Sequence, residues 1–185
     1  IISYESVHAI KSWDDLRRRL HPDDRRCFAF FHPAMPDEPL IFVEVALTQG
    51  TPGSIQNILS ETHRSLAAAD ADTATFYSIS NCQAGLAGIS FGNSLIKTVV
   101  QHLLRDLPQI KTFVTLSPIP GFVKWLNKTN QFDETANPQT LLSLAAYYLL
   151  EAKNRTGQPR DPVARFHLNN GAFVETVHAL SLIHI

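Results

Sequence analysis

The sequence has 185 residues, 44% hydrophobic and 18% charged, which suits one globular domain with a sizeable core and excludes a disordered chain. Sixteen Lys and Arg against seventeen Asp and Glu leave a formal net charge of -1, and the basic residues are scattered, so no footprint for nucleic acid is expected. Two cysteines, Cys27 and Cys82, are too few for a disulfide framework and lack metal-ligand spacing; both are expected to be core thiols in a reducing compartment.

The first residues lack the charged-then-apolar pattern of a signal peptide, and no apolar run approaches the roughly 20 residues needed to span a bilayer. A soluble protein with no membrane partner is expected, cytoplasmic by default. The chain starts without Met and stops at Ser181-Leu182-Ile183-His184-Ile185 with no terminating signal, so a fragment is expected.

Ser12-Trp13-Asp14-Asp15-Leu16 places a capping serine before an acidic first turn, predicting a short helix through about Leu20. Residues 27–31 and 40–47 are apolar runs that predict a pair of strands. Between them His32-Pro33-Ala34-Met35-Pro36-Asp37-Glu38-Pro39 reads as an irregular connection, because its prolines oppose regular structure. A helical turn over 55–59 and an Ala/Asp connector over 66–72 follow.

Residues 75–80, Thr-Phe-Tyr-Ser-Ile-Ser, are β-branched and aromatic, as strands prefer. A glycine-bearing turn over 83–93 leads into 94–105, where Leu95, Ile96, Val99, Val100, Leu103 and Leu104 form one apolar helical stripe ended by Pro108. Residues 111–116 predict another strand, broken by Ser117-Pro118-Ile119-Pro120-Gly121. Phe122 starts a helix, 141–152 form the clearest late helix, and 162–168 and 171–177 are read as the last strands. The order is mixed α/β, with strand, glycine loop, helix and strand at its centre.

A strand passing through a glycine loop into a helix N-terminus presents free backbone N–H groups and the positive end of the helix dipole to an anion. Here Gly88 and Gly92 would let a phosphate approach, with Asn93 or Ser94 capping a helix at Leu95. Neither G-x-G-x-x-G nor G-x-x-x-x-G-K-[ST] occurs, and the bland alternative is a tight turn that merely needs glycine. Ser117 follows a strand and precedes two prolines, at the strand end where open α/β sheets keep their ligands. Such a serine more commonly bonds to nearby backbone, and the absence of G-x-S-x-G argues against a covalent serine mechanism. His167 lies between Ala164-Arg165-Phe166 and Asn169-Asn170-Gly171; an imidazole there can move a proton near neutral pH, although a satisfied structural histidine is the commoner case. No His, Cys or carboxylate group has metal-ligand spacing, so no metal site is expected.

Four ordered segments carry a resemblance. They are Phe76-Tyr77-Ser78-Ile79-Ser80; Gly85-Leu86-Ala87-Gly88-Ile89-Ser90-Phe91-Gly92-Asn93; Leu116-Ser117-Pro118-Ile119-Pro120-Gly121-Phe122; and Phe166-His167-Leu168-Asn169-Asn170-Gly171-Ala172. With the earlier segment 32–45 they resemble successive signatures of malonyl-CoA decarboxylases, across nearly the whole chain. The resemblance implies a GNAT-type acyl-CoA-binding α/β fold with a mixed central sheet, incomplete at both ends, the chain being part of one catalytic domain. It implies a carboxy-lyase of fatty acid metabolism that converts malonyl-CoA to acetyl-CoA and carbon dioxide, a homo-oligomer at full length, with no cofactor because the CoA thioester is itself the substrate and electron sink.

Within it, Ala87, Gly88, Ile89, Ser90, Phe91, Gly92 and Asn93 match the family's CoA-binding loop. That loop departs from the usual acyltransferase pattern Q/R-x-x-G-x-G/A at Ala87 and Ser90, so backbone amides are expected to supply most contacts. Ser117 and His167 match its catalytic serine and histidine. The final five residues do not resemble the family's continuation. The same fold would also serve a CoA-dependent N-acetyltransferase, or a non-catalytic acyl-CoA-binding module that binds without turnover.

Overall fold

The computed structural model describes residues 4–5, 7–86, 91–131 and 137–178, with the side chains at 91–93 outside the description. Its chain folds as two units, residues 1–116 and residues 117–185.

The first unit begins with helix α1 (Trp13–Leu20), capped as expected: Ser12 Oγ accepts the Asp15 N–H at 3.1 Å. Strand β1 (Arg25–His32) pairs antiparallel with β2 (Met35–Thr48), and β2 pairs antiparallel with β3 (Thr73–Asn81). Helix α2 (Ile55–Leu59) precedes β3. Helix α3 (Phe91–Asp106) then carries the chain to β4 (Thr112–Thr115), which lies parallel to β3. The sheet order is β1-β2-β3-β4, so the strand–loop–helix–strand passage expected at the centre is a crossover within one sheet.

The prolines between the first two strands do not prevent pairing. Met35 faces His32 and Pro39 faces Phe31, with register slips on either side of Phe31. Pairing of β2 to β3 begins only at Ile41, so Pro36 and Pro39 lie where that edge of β2 is free and their missing N–H removes no ladder bond from β3.

Residues 41–47 of β2 are buried without a break, the pattern of a strand covered on both faces. Val43, Val45 and Leu47 pack with Ala74 and Phe76 of β3 and with Leu95, Val99 and Leu103 of α3. Ala46 instead joins Tyr77, Ile55 and Ile58. The apolar stripe read from the sequence is thus the face of α3 that meets the sheet, except for Leu104, which is exposed because it lies one position past Leu103 and off that face. The helix nevertheless begins at Phe91, so neither Asn93 nor Ser94 caps it; both stand inside its first turn.

A charge sits in this buried strand. Glu44 is fully buried, and its Oε2 lies 3.4 Å from Arg19 Nη1, itself buried on α1 and 3.4 Å from Asp15. The β2/β3 register slips here, Glu44 facing Ser78 and Val45 facing Phe76 with Tyr77 as the extra residue. Glu5 completes the layer: Ser78 Oγ donates to its carboxylate at 2.6 Å, and the N–H groups of Val7 and His8 donate at 2.7 and 2.8 Å. Cys27, opposite Glu44 on β1, is half-buried rather than a core thiol, as is Cys82; burial and the Glu44 carboxylate push the Cys27 thiol up to about 12.

The second unit is helical among its described residues: α4 (Phe122–Lys128), α5 (Pro138–Leu150) and α6 (Pro162–Asn169). Phe122, Trp125 and Leu126 of α4 pack against Ala145, Tyr148 and Leu149 of α5, with Trp125 and Tyr148 rings 5.2 Å apart. Residues 162–168, expected as a strand, form α6 instead. The reason is local: Asp161 accepts the N–H groups of Val163 and Ala164, and Pro162 occupies the first helical position, where its lack of N–H costs nothing. The strand expected over 171–177 is also absent; that segment contributes Val174 and Val177 to the helical core.

Burial, and next the charge of Glu5, raise Glu44 from an ordinary 4.5 to about 7, with Arg19 opposing. The folded state therefore binds this proton more tightly than the unfolded chain, and the contribution is full below about 4.5 and lost as pH rises through about 7. Urea unfolding followed across that window should show the decline, on the order of 2 kcal/mol, flattened in Glu44→Gln. An unchanged slope would mean that the site holds charged and neutral Glu44 equally well.

Candidate functional site

Ser117 heads a loop whose freedom is removed by Pro118 and Pro120 on either side of Ile119, which is buried in the helical core. Gly121 ends this loop, and a Cβ there would collide with Tyr148 Oη, so the close approach of loop and α5 requires glycine. The serine is therefore carried by a segment anchored two and five residues further on, at Ile119 and Phe122.

His167 stands in the last turn of α6. Its carbonyl accepts the N–H groups of Asn170 and Ala172 at 3.0 and 3.1 Å, and Gly171 at φ 88° turns the chain out of the helix. The Phe166 ring meets the imidazole edge-on at 5.0 Å, and Asn170 Nδ2 donates to the Phe166 carbonyl at 2.7 Å. Loop and helix bring Ser117 Oγ to 3.1 Å from His167 Nε2, a hydrogen bond across 50 residues of sequence.

Burial lowers the His167 pKa from its ordinary 6.5. The imidazole is mainly neutral near pH 7, and its protonated form is a stronger acid than a free imidazolium. Among the described residues no carboxylate hydrogen-bonds His167, so the arrangement is a hydroxyl–imidazole dyad rather than a triad. It can hold an oxygen of a ligand through the hydroxyl and pass a proton through the ring.

The expected CoA loop runs into the start of α3. Residues Ala87, Gly88, Ile89 and Ser90 lie outside the described residues, while Phe91, Gly92 and Asn93 form the first turn of α3. A 3-10 turn, Ala84–Leu86, leads from β3 toward them. Among the described residues no group of three or more His, Cys, Asp or Glu could hold a metal ion, and no helix is long and apolar enough to cross a membrane. Asp161 was not singled out by the sequence reading, although the Asp-Pro pair is a recognisable helix start. Besides capping α6 it accepts the Gly121 N–H at 3.3 Å.

The model of the malonyl-CoA decarboxylase C-terminal domain matches residues 1–140 and 131–183. The chain belongs to the malonyl-CoA decarboxylase family. The goose (Anser anser anser) malonyl-CoA decarboxylase, named as mitochondrial, is 40% identical over 216 residues, covering 91% of this chain and 42% of that protein. The crystal structure of malonyl-CoA decarboxylase from Rhodopseudomonas palustris aligns with a TM-score of 0.82 at 52% identity, over 92% of this chain and 48% of that one. The GNAT-like decarboxylase GphF, solved in complex with isobutyryl-CoA, aligns with a TM-score of 0.61 at 20% identity, over 91% of this chain and 75% of that one, and so shares the fold. The expected GNAT-type mixed α/β architecture is present.

The chain spans less than half the length of these malonyl-CoA decarboxylases. The two family matches overlap at residues 131–140, and the goose alignment runs to 216 residues against 91% of a 185-residue chain. The goose protein therefore carries residues with no counterpart in this chain. The family match reaches residue 183, so the chain's last residues, which looked foreign, fall largely within it. The mitochondrial name of the goose protein lends no support to a cytoplasmic location.

His167 gives a direct check on the site. Its imidazole, followed by proton NMR, should titrate with a midpoint below 6.5, and Ser117→Ala should move that midpoint. A midpoint at or above 6.5 would mean that the ring is fully solvated and not half-buried.

Proposed function

We propose that this chain carries the reaction centre of a malonyl-CoA decarboxylase, acting on malonyl-CoA to give acetyl-CoA and carbon dioxide. The observation that carries the proposal is the 3.1 Å contact between Ser117 Oγ and His167 Nε2 in a chain of this family. In the reaction the bond between the α-carbon and the carboxylate breaks, carbon dioxide leaves, and the electron pair passes into the thioester carbonyl as an enolate. Ser117 hydrogen-bonds the malonyl carboxylate or orients the His167 ring, and His167 delivers a proton to the α-carbon, completing acetyl-CoA. A positioned acid of this kind contributes about 10²- to 10⁴-fold in rate.

The thioester is the electron sink, so the reading needs no cofactor. Residues 87–93 serve as the loop that meets the CoA diphosphate; a 16-residue helix starting within that loop supplies aligned backbone dipoles suited to an anion. The full-length protein acts as a homo-oligomer in fatty acid metabolism, an expectation supported by the family resemblance alone.

The depressed His167 pKa sets the sign of the pH dependence. If the imidazolium is the proton donor, kcat is highest below that pKa and falls as pH rises through it. Release of carbon dioxide from malonyl-CoA by the full-length protein, without any amine acceptor, should be observed, with kcat lowered at least about 10²-fold in Ser117→Ala and in His167→Ala. Near-normal turnover in either variant removes that residue from its role, and a kcat that rises with pH through the His167 midpoint assigns the working form to the neutral ring. Amine-dependent acetyl transfer without decarboxylation would replace the reading with an acetyltransferase.

A further inference from the structure

One carboxyl group in the second unit holds both segments that carry the dyad. Asp161 is 1% exposed. Its Oδ1 accepts the N–H groups of Val163 and Ala164 at 2.9 and 3.0 Å, which fixes the start of α6. His167 stands one helical turn beyond Val163, so the orientation of that first turn is transmitted to the imidazole. The other oxygen, Oδ2, accepts the Gly121 N–H at 3.3 Å. Gly121 is the N-cap residue of α4, has no side chain to cap with, and closes the loop that begins at Ser117. Tyr148 packs against the same glycine from α5, and its phenol is kept neutral by burial and by the Asp161 charge.

We propose that Asp161 is a positioning residue for the dyad: by bonding the backbone of the Ser117 loop with one oxygen and the backbone of the His167 helix with the other, it sets the distance between hydroxyl and imidazole. A buried group with several backbone donors on it cannot shift without leaving at least one donor unpaired, so the two segments are held to one spacing. The proposal rests on reading Ser117 and His167 as a working pair, and a misplacement of about 1 Å in such a pair can cost about 10²-fold in rate.

The test uses Asp161→Asn in the full-length protein. Asparagine keeps an oxygen able to cap α6 but turns an amide donor toward the Gly121 N–H, so it releases the loop and spares the helix. Asp161→Ser, a good cap with no second oxygen, should act alike. Expected for both is a kcat for malonyl-CoA lowered about 10-fold or more, with KM within about 3-fold and the protein still folded at the assay temperature, although its thermal midpoint falls by several degrees because the Gly121 N–H is left unpaired. In the same proteins the His167 titration should no longer respond to Ser117→Ala, as it does in the parent. Parental kcat with the Ser117 response intact overturns the proposal. So does a kcat loss that tracks loss of folded protein while the folded fraction keeps its Ser117 response. The titration needs no turnover: if malonyl-CoA is not decarboxylated but the coupling is lost in Asp161→Asn, the reaction assignment fails and the positioning role stands.

Discussion

The first unit is governed by one constraint, the uninterrupted burial of residues 41–47. A strand with no exposed face must be covered twice, and the chain supplies α3 on one side and α2 with Tyr77 on the other. This fixes the crossover from β3 through α3 to parallel β4, because α3 can cover the sheet only if the chain returns beside β3. The single charged residue within 41–47, Glu44, is met by Arg19, while Glu5 bonds Ser78 beside it on β3. The N-terminal segment is thereby tied to the sheet by polar contacts as well as by the buried Ile10.

The second unit solves a different problem with different means. Its aromatic core of Phe122, Trp125 and Tyr148 holds α4 and α5 together, and rigid punctuation places the two hydrogen-bonded side chains: prolines and a glycine around Ser117, a cap and an αL glycine around the helix of His167. Enclosing the imidazole lowers its proton affinity, and the neighbouring hydroxyl gives it a defined partner.

Most of the first unit was legible in the sequence because its signals are local and strong: Ser12 as a cap, the β-branched run of β3, the apolar stripe of α3. The reading failed where a local rule depends on context. Pro36 and Pro39 read as breakers, yet they are tolerated because β3 pairs with β2 only from Ile41. Residues 162–168 read as a strand because a short apolar run has no decisive period, but the Asp161-Pro162 start outweighs it. Ser117 and His167 stand out singly by their place in the sequence, and only the resemblance makes them a pair. No spacing rule links residues fifty positions apart, and Asp161 stayed hidden because its partners are backbone groups that leave no trace in side-chain pattern.

The environment of Cys27 has a practical consequence. A thiol held near 12 exists as thiolate in only about one part in 10⁵ at pH 7, so oxidants and alkylating reagents find almost nothing to attack while β1 stays paired to β2. Its modification rate is then a clock for the opening of that sheet edge, built into the chain without any added probe.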